Sequence, residues 1–304
     1  MAVRRIARPI TALPRAAGRP NIGISGAACD HDHVAVDTER RGHAATEFLR
    51  RRPRIVALRW WHEVLLVAVG YGIYTLIRNA VPRHESRARG NALDVEHLER
   101  TLGILREHGI NNWLAAHHDL AVVANYWYAT MHFIVTIGVA IWILWKHPRH
   151  ARPLRIAWYS TNVVALIGYY AYPLMPPRLM PGFHDTIAEL GIWGTKGTAA
   201  NADGASNQFA AMPSMHIGWS TWCAIVIVVF ATSWWIKVLG VAYPIITLFV
   251  IAGTANHYFL DAVGGLAALA LGFAIARLIT GHGPFTAEPE PEPPPPDAAG
   301  TAPG

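Results

Sequence analysis

The chain has 304 residues, of which 52% are hydrophobic and only 15% charged, with twelve Trp and ten Tyr. That balance excludes an ordinary soluble domain of this length, which carries more charge, and suits a protein with two water–lipid interfaces. The net charge of +6 belongs to one end, since eleven arginines fall before residue 55, so the basicity marks a tail and no nucleic-acid partner is expected.

Residues 1–52 are rich in Arg, Ala, Gly and Pro without sustained periodicity and read as a disordered basic tail. No apolar core and cleavage site follow "VRRIARP", which argues against a signal peptide. The tail has two readings: contact with anionic lipid, or a solvated segment that fixes topology. "CDHDH", Cys29 to His33, packs its ligands too tightly on such a tail to close a tetrahedron, so no metal is expected there. Cys29 and Cys223 sit in contexts too different for a structural disulfide.

Six apolar runs follow, at Val56–Ile77, Leu120–Trp145, Leu154–Leu174, Ile217–Trp235, Ile236–Ala255 and Tyr258–Ile279. Each is near the roughly 20 residues a membrane span needs, and lipid, which offers no hydrogen-bond partner, forces them into helices. The first is the least clean, with Arg59, His62 and Glu63 in its opening turns. The predicted fold is all-α: a polytopic membrane protein of six transmembrane helices, residues 53–281, followed by an acidic, Pro-rich disordered tail, 282–304. Within the first loop "NALDVEHLERTLGI" places Leu93, Leu98, Leu102 and Ile104 on an amphipathic helix that lies on the bilayer or covers the bundle.

The basic residues set the topology. The N-terminal tail, the "KHPRHARPLR" connection and the tight turn at Lys237 are placed inside. The connection from Met175 to His216 is then outside. Residues 80–119 are outside as well, against the grain of their five arginines, which six acidic residues dilute. The predicted location is the plasma membrane.

This topology brings three polar stretches to the outer face. In "ANHYFLDAVGG", His257 and Asp261 lie one helical turn apart, so the carboxylate can accept a proton from one ring nitrogen and leave the other a directed lone pair. A purely local hydrogen bond is the bland alternative. In "AAMPSMHIGWS", Ser214 suits an N-cap, and the helix end beside His216 favours an anion; a capping serine with an incidental histidine is the alternative. In "YPLMPPRLMPG", Arg178 can grip two phosphate oxygens, or only lipid headgroups. Together they make a phosphoryl-transfer set that needs no metal and no cofactor: one imidazole attacks phosphorus and a second protonates the leaving oxygen, while arginine and helix N–H groups hold the charge.

"PSMH" and "HYFLD" resemble two signature motifs of the type 2 phosphatidic acid phosphatase superfamily. "PPR" and the "NYWYATMHF" stretch look more like its inositol phosphorylceramide synthase branch, and the resemblance covers about residues 60–280. It implies His257 as nucleophile, Asp261 as its orienting carboxylate, His216 as general acid and base, and Arg178 and Ser214 as phosphate ligands. It implies a membrane phospholipid or other lipid phosphate as donor, with inositol or another alcohol as acceptor, or water if the enzyme is a lipid phosphate phosphatase. Two phosphate-binding cations usual in the phosphatases are absent: their places are held by Ala171 and by Val250–Ile251. His132 has two readings, reaching the site or bonding a neighbouring helix, with the structural role preferred, and His184 and Asp185 read as solvated or substrate-touching loop residues. The rival class is a proton-coupled transporter, which would string polar groups across the bilayer instead of gathering them at one edge; a scaffold that kept the fold without chemistry would not need the four polar residues.

Overall fold

The computed structural model describes residues 84–190 and 207–287, together with 65, 68–70, 72–73 and 75–76. The chain divides at Val56–Ala57, and every described residue belongs to the second unit. The basic tail with its "CDHDH" cluster, most of the first apolar run and the acidic tail from residue 288 lie outside the described residues. The positions described within that first run are helical.

Among the described residues eight α-helices follow: α1 (Glu85–Thr101), α2 (Glu107–Ala115), α3 (His118–Lys146), α4 (Pro148–Ala171), the short α5 (Thr186–Leu190), α6 (Met215–Phe230), α7 (Trp234–Gly253) and α8 (Phe259–Thr280). Among the described residues the secondary structure is helical, apart from a 3-10 turn at Pro177–Leu179 and one isolated bridge between Leu174 and Ala210. α3, α7 and α8 are long and apolar enough to cross a membrane. Their outward faces are greasy: α7 exposes Val238, Leu239, Val241, Ile245, Ile246 and Phe249, and α3 exposes Val123, Ile134, Ile137 and Ile141. Patches of this kind are not tolerated in water and mark an integral membrane protein.

Two sequence expectations are corrected in detail. The "KHPRHARPLR" stretch is not a loop: only His147 separates α3 from α4, and Arg149, Arg152 and Arg155 ride on the first turns of α4, with Pro148 opening the helix. Their charge dilutes a helix whose 24 residues are otherwise long enough to span. The turn between the fourth and fifth predicted spans falls at Ala231–Ser233, so Lys237 lies inside α7; Ser233, in extended geometry, starts the new helix. α6 keeps only 16 residues, about 24 Å of rise, shorter than a bilayer core of ~30 Å.

Glycines on α8 set how close its neighbours come. A Cβ at Gly265 would overlap the carbonyl oxygen of Ser214, at the start of α6, and one at Gly272 would overlap Oγ1 of Thr161 on α4. Small residues permit such backbone approach between membrane helices. Gly265→Ala is expected to lower stability by about 1–3 kcal/mol, because the overlapped atom is backbone and cannot swing aside. Thermal unfolding in detergent measures it, and an unchanged melt would show that α6 can shift freely.

Candidate active site

Three segments meet at one end of the helices. The first is Leu174–Arg178, joined to the second by the Leu174 N–H donating to the Phe209 carbonyl at 2.8 Å. The second, Ala210–Ser214, leads into α6, and its Ser214 N–H donates to the Asp261 carbonyl at 2.9 Å. The third, Ala255–Asp261, enters α8, and the Ala255 carbonyl accepts the Arg178 N–H at 2.7 Å. Ala255 holds φ +53, a left-handed conformation costly for a residue with a Cβ, in the turn that leads to His257.

His257 is 6% exposed and Asp261 fully buried. His257 Nδ1 lies 3.2 Å from Asp261 Oδ2 and 3.0 Å from the Ala211 carbonyl oxygen. A carbonyl oxygen can only accept, so Nδ1 carries the proton, shared between the two acceptors, and Nε2 bears the lone pair. The carboxylate is itself held, with Oδ2 accepting the Tyr258 N–H at 3.0 Å.

The half-buried His216, in the first turn of α6, brings its ring centroid to 5.5 Å from that of His257. Its ring stacks on Tyr128 at 4.3 Å and meets the edge of His132 at 4.6 Å, both residues of α3. Two aromatic walls therefore fix the plane of the imidazole while its ring nitrogens stay in reach of the space beside His257. Of its two readings His132 takes the one that reaches the site: its ring forms part of the His216 wall, while its Nδ1 donates to the Tyr128 carbonyl of its own helix at 3.0 Å. Composition alone did not single out Tyr128; its spacing of four from His132 in "NYWYATMHF", putting both on one face of α3, is the signal that finds it.

Arg178 sits in the 3-10 turn with its side chain 10% exposed. Its Nε donates to Asn256 Oδ1 at 3.0 Å, one residue before His257, and Nη1 lies 3.4 Å from Asp185 Oδ2. Asp185 is therefore neither a solvated loop residue nor an isolated one: it orients the guanidinium and caps α5 through the N–H groups of Ile187 and Ala188 at 3.1 and 3.0 Å. His184 is half-exposed and pairs with Glu189 at 3.3 Å. Ser214 occupies the N-cap position of α6, yet its hydroxyl makes no cap bond; it is fully buried and has no hydrogen-bond partner among the described residues. Ala171, at one of the two places without the expected cation, is not far from another: its carbonyl accepts Arg87 Nη2 at 2.9 Å.

A buried, hydrogen-bonded imidazole, a second imidazole beside it and an anchored guanidinium, carried on membrane helices, are the parts of a phosphoryl-transfer enzyme that uses histidine as its nucleophile. The chain belongs to the PAP2 superfamily, whose sequence model matches residues 93–275, more than half its length, and it is a member of these phosphatases and phosphotransferases acting on phosphate esters. No curated protein and no solved structure matches the chain.

Proposed function

We propose that the protein transfers a phosphate-bearing group from a membrane phospholipid, or another lipid phosphate or phosphodiester, to an alcohol such as inositol, at the extracytoplasmic side of the plasma membrane. The observation that carries this reading is the His257 ring, held by Asp261 and the Ala211 carbonyl with the His216 ring 5.5 Å away.

His257 Nε2 attacks phosphorus, the bond from phosphorus to the leaving oxygen breaks, and that oxygen takes a proton from His216. Asp261 stabilises the Nδ1–H of the phosphohistidine, whose ring is now positively charged. His216, neutral after giving up its proton, takes one from the entering alcohol; the alkoxide oxygen bonds to phosphorus and the P–N bond breaks. Arg178, the buried Ser214 hydroxyl and the first N–H groups of α6 hold the phosphate oxygens.

Two features support a lipid donor and an alcohol acceptor. A cavity of about 410 Å³ among α3, α4 and α6 is lined by Phe133, Ile137, Ile141, Leu154, Trp158 and Trp219, and two of these, Phe133 and Trp219, touch the His132 ring that walls His216. Its size is that of a ligand site and its lining suits an acyl chain. The sparse cations, with Ala171 and Ile251 where the phosphatases carry charge, fit a diester donor better than a highly charged monoester, as in the inositolphosphotransferase branch.

The test is a panel of lipid phosphates offered to detergent-purified protein with and without inositol, and the products read by mass spectrometry. An inositol-containing phosphoester that forms only when both substrates are present is expected, at a rate unaffected by chelators. Inorganic phosphate alone in both arms would make the enzyme a hydrolase, and no turnover of any phosphate ester would sink the reading.

A further inference from the structure

The N-terminus of α8 is held by acids from a distant part of the chain. Phe259 and Leu260 open the helix, so their N–H groups have no carbonyl one turn earlier to bond. Phe259 N–H donates to Glu107 Oε1 of α2 at 2.8 Å, and Leu260 N–H to Glu99 Oε1 of α1 at 2.7 Å. The Tyr258 hydroxyl completes the set by donating to Glu96 Oε1 at 3.1 Å. Glu99 and Glu107 are both fully buried, and Glu107 Oε2 also accepts the Arg106 N–H at 2.9 Å. Among the described residues no Lys, Arg or His forms an ion pair with either. Burying two acids without a cation is costly, and what they grip is the turn that carries His257 and Asp261.

We propose that Glu99 and Glu107 are positioning residues for phosphoryl transfer: they clamp the first turn of α8 and so fix the Asp261 carboxylate that orients His257. The proposal rests on the roles given above to His257 and Asp261.

The clamp depends on Glu99 keeping its proton. The titratable groups acting on Glu99 are Glu107 from α2 and Asp261 and Tyr258 from α8, all of them acids, and Glu96 of its own helix holds the Tyr258 hydroxyl. Burial first, and then the hydrogen bond and charge of Glu107, push the Glu99 carboxyl up to about 9, against the pull of the Leu260 N–H. Glu99 is therefore neutral at pH 7 and can share its proton with Glu107. A carboxyl raised above its ordinary value of 4.5 contributes its full stability below that value, and the contribution is lost as pH rises toward about 9.

Full-length Glu99→Gln and Glu99→Ala variants test this. Gln is neutral at every pH, and its carbonyl still accepts from Leu260 while its amide donates to Glu107. Wild-type activity should fall as pH passes about 9, and Glu99→Gln should keep its activity there. At pH 7 Glu99→Ala should lose about 10–100-fold in kcat with little change in KM, and Glu99→Gln should restore it. An infrared band of a protonated carboxyl group should be present in the wild type at pH 7, vanish above about 9 and be missing from Glu99→Gln. A wild-type alkaline limb retained in Glu99→Gln, or full kcat in Glu99→Ala, overturns the positioning role. The infrared arm uses no substrate: absence of the band overturns the shared proton whatever the enzyme acts on, whereas a band in a protein that turns over no phosphate ester overturns the proposed function alone.

Discussion

His257→Ala is expected to bring phosphate or headgroup transfer down to background, a loss of at least about 10⁴-fold, with the protein still folded. The ring supplies the attacking lone pair, and no neighbour can replace it: Asp261 is fully buried behind the ring, and His216 lies across the space the phosphate would occupy. Loss of a nucleophile removes the covalent route altogether and leaves only what binding and charge stabilisation provide. Wild-type protein quenched during turnover should carry phosphate that is released by acid and retained in base, as a phosphorus–nitrogen bond requires, and the variant should carry none. Turnover retained in full, or an unchanged phosphoprotein signal, would assign the nucleophile elsewhere. Asp261→Asn should lose less, about 10²–10⁴-fold, because the Ala211 carbonyl still accepts from Nδ1 while the charge that steadies the phosphohistidine is gone.

The second large effect is expected from His216→Ala, and its size should depend on the leaving group. With a lipid alkoxide as leaving group, the departing oxygen needs a proton, and losing the acid that gives it should cost about 10²–10⁴-fold. With a nitrophenyl phosphodiester, whose leaving group departs as a stable anion, the first step should be nearly untouched and a burst of nitrophenol should precede slow breakdown of the phosphohistidine. The stacking of His216 on Tyr128 and its contact with His132 make Gln a poor steric substitute, so Ala and Asn are the informative replacements. Equal losses with both substrates would mean that His216 holds the phosphate without moving a proton.

Some of this was legible along the chain and some was not. The apolar runs at Leu120–Trp145 and Tyr258–Ile279 became α3 and α8 within two residues at each end, because lipid demands continuous backbone hydrogen bonding and a long apolar run leaves few alternatives. Local capping was less readable. Ser214 stands at an N-cap position without capping, since the segment before α6 is held from outside by the Asp261 carbonyl. Around α1 the amphipathic pattern turns its leucines away from the bundle, which fits the reading that the helix lies on the bilayer. Leu93, Leu98, Leu102 and Ile104 face outward, and the buried side is Ala88, Ala92, Val95 and Glu99. The helix also covers its neighbours: Ala88, Ala92 and Val95 pack in an apolar cluster with Leu174, Met175 and Tyr258, while Glu99 meets the polar start of α8.

What the sequence determined alone is the membrane character of the chain and the chemistry-bearing pairs that sit within one helical turn, His257 with Asp261 above all, because a spacing of four residues fixes their proximity whatever surrounds them. Only the tertiary structure decided which groups face one another across long stretches of chain. Tyr128 and His132 against His216, Asn256 and Asp185 on Arg178, and Glu99 and Glu107 at the head of α8 depend on how helices pack, and no local pattern encodes that. A glutamate on a loop helix looks solvated by every rule of composition until another helix presents it with N–H groups that nothing else can satisfy.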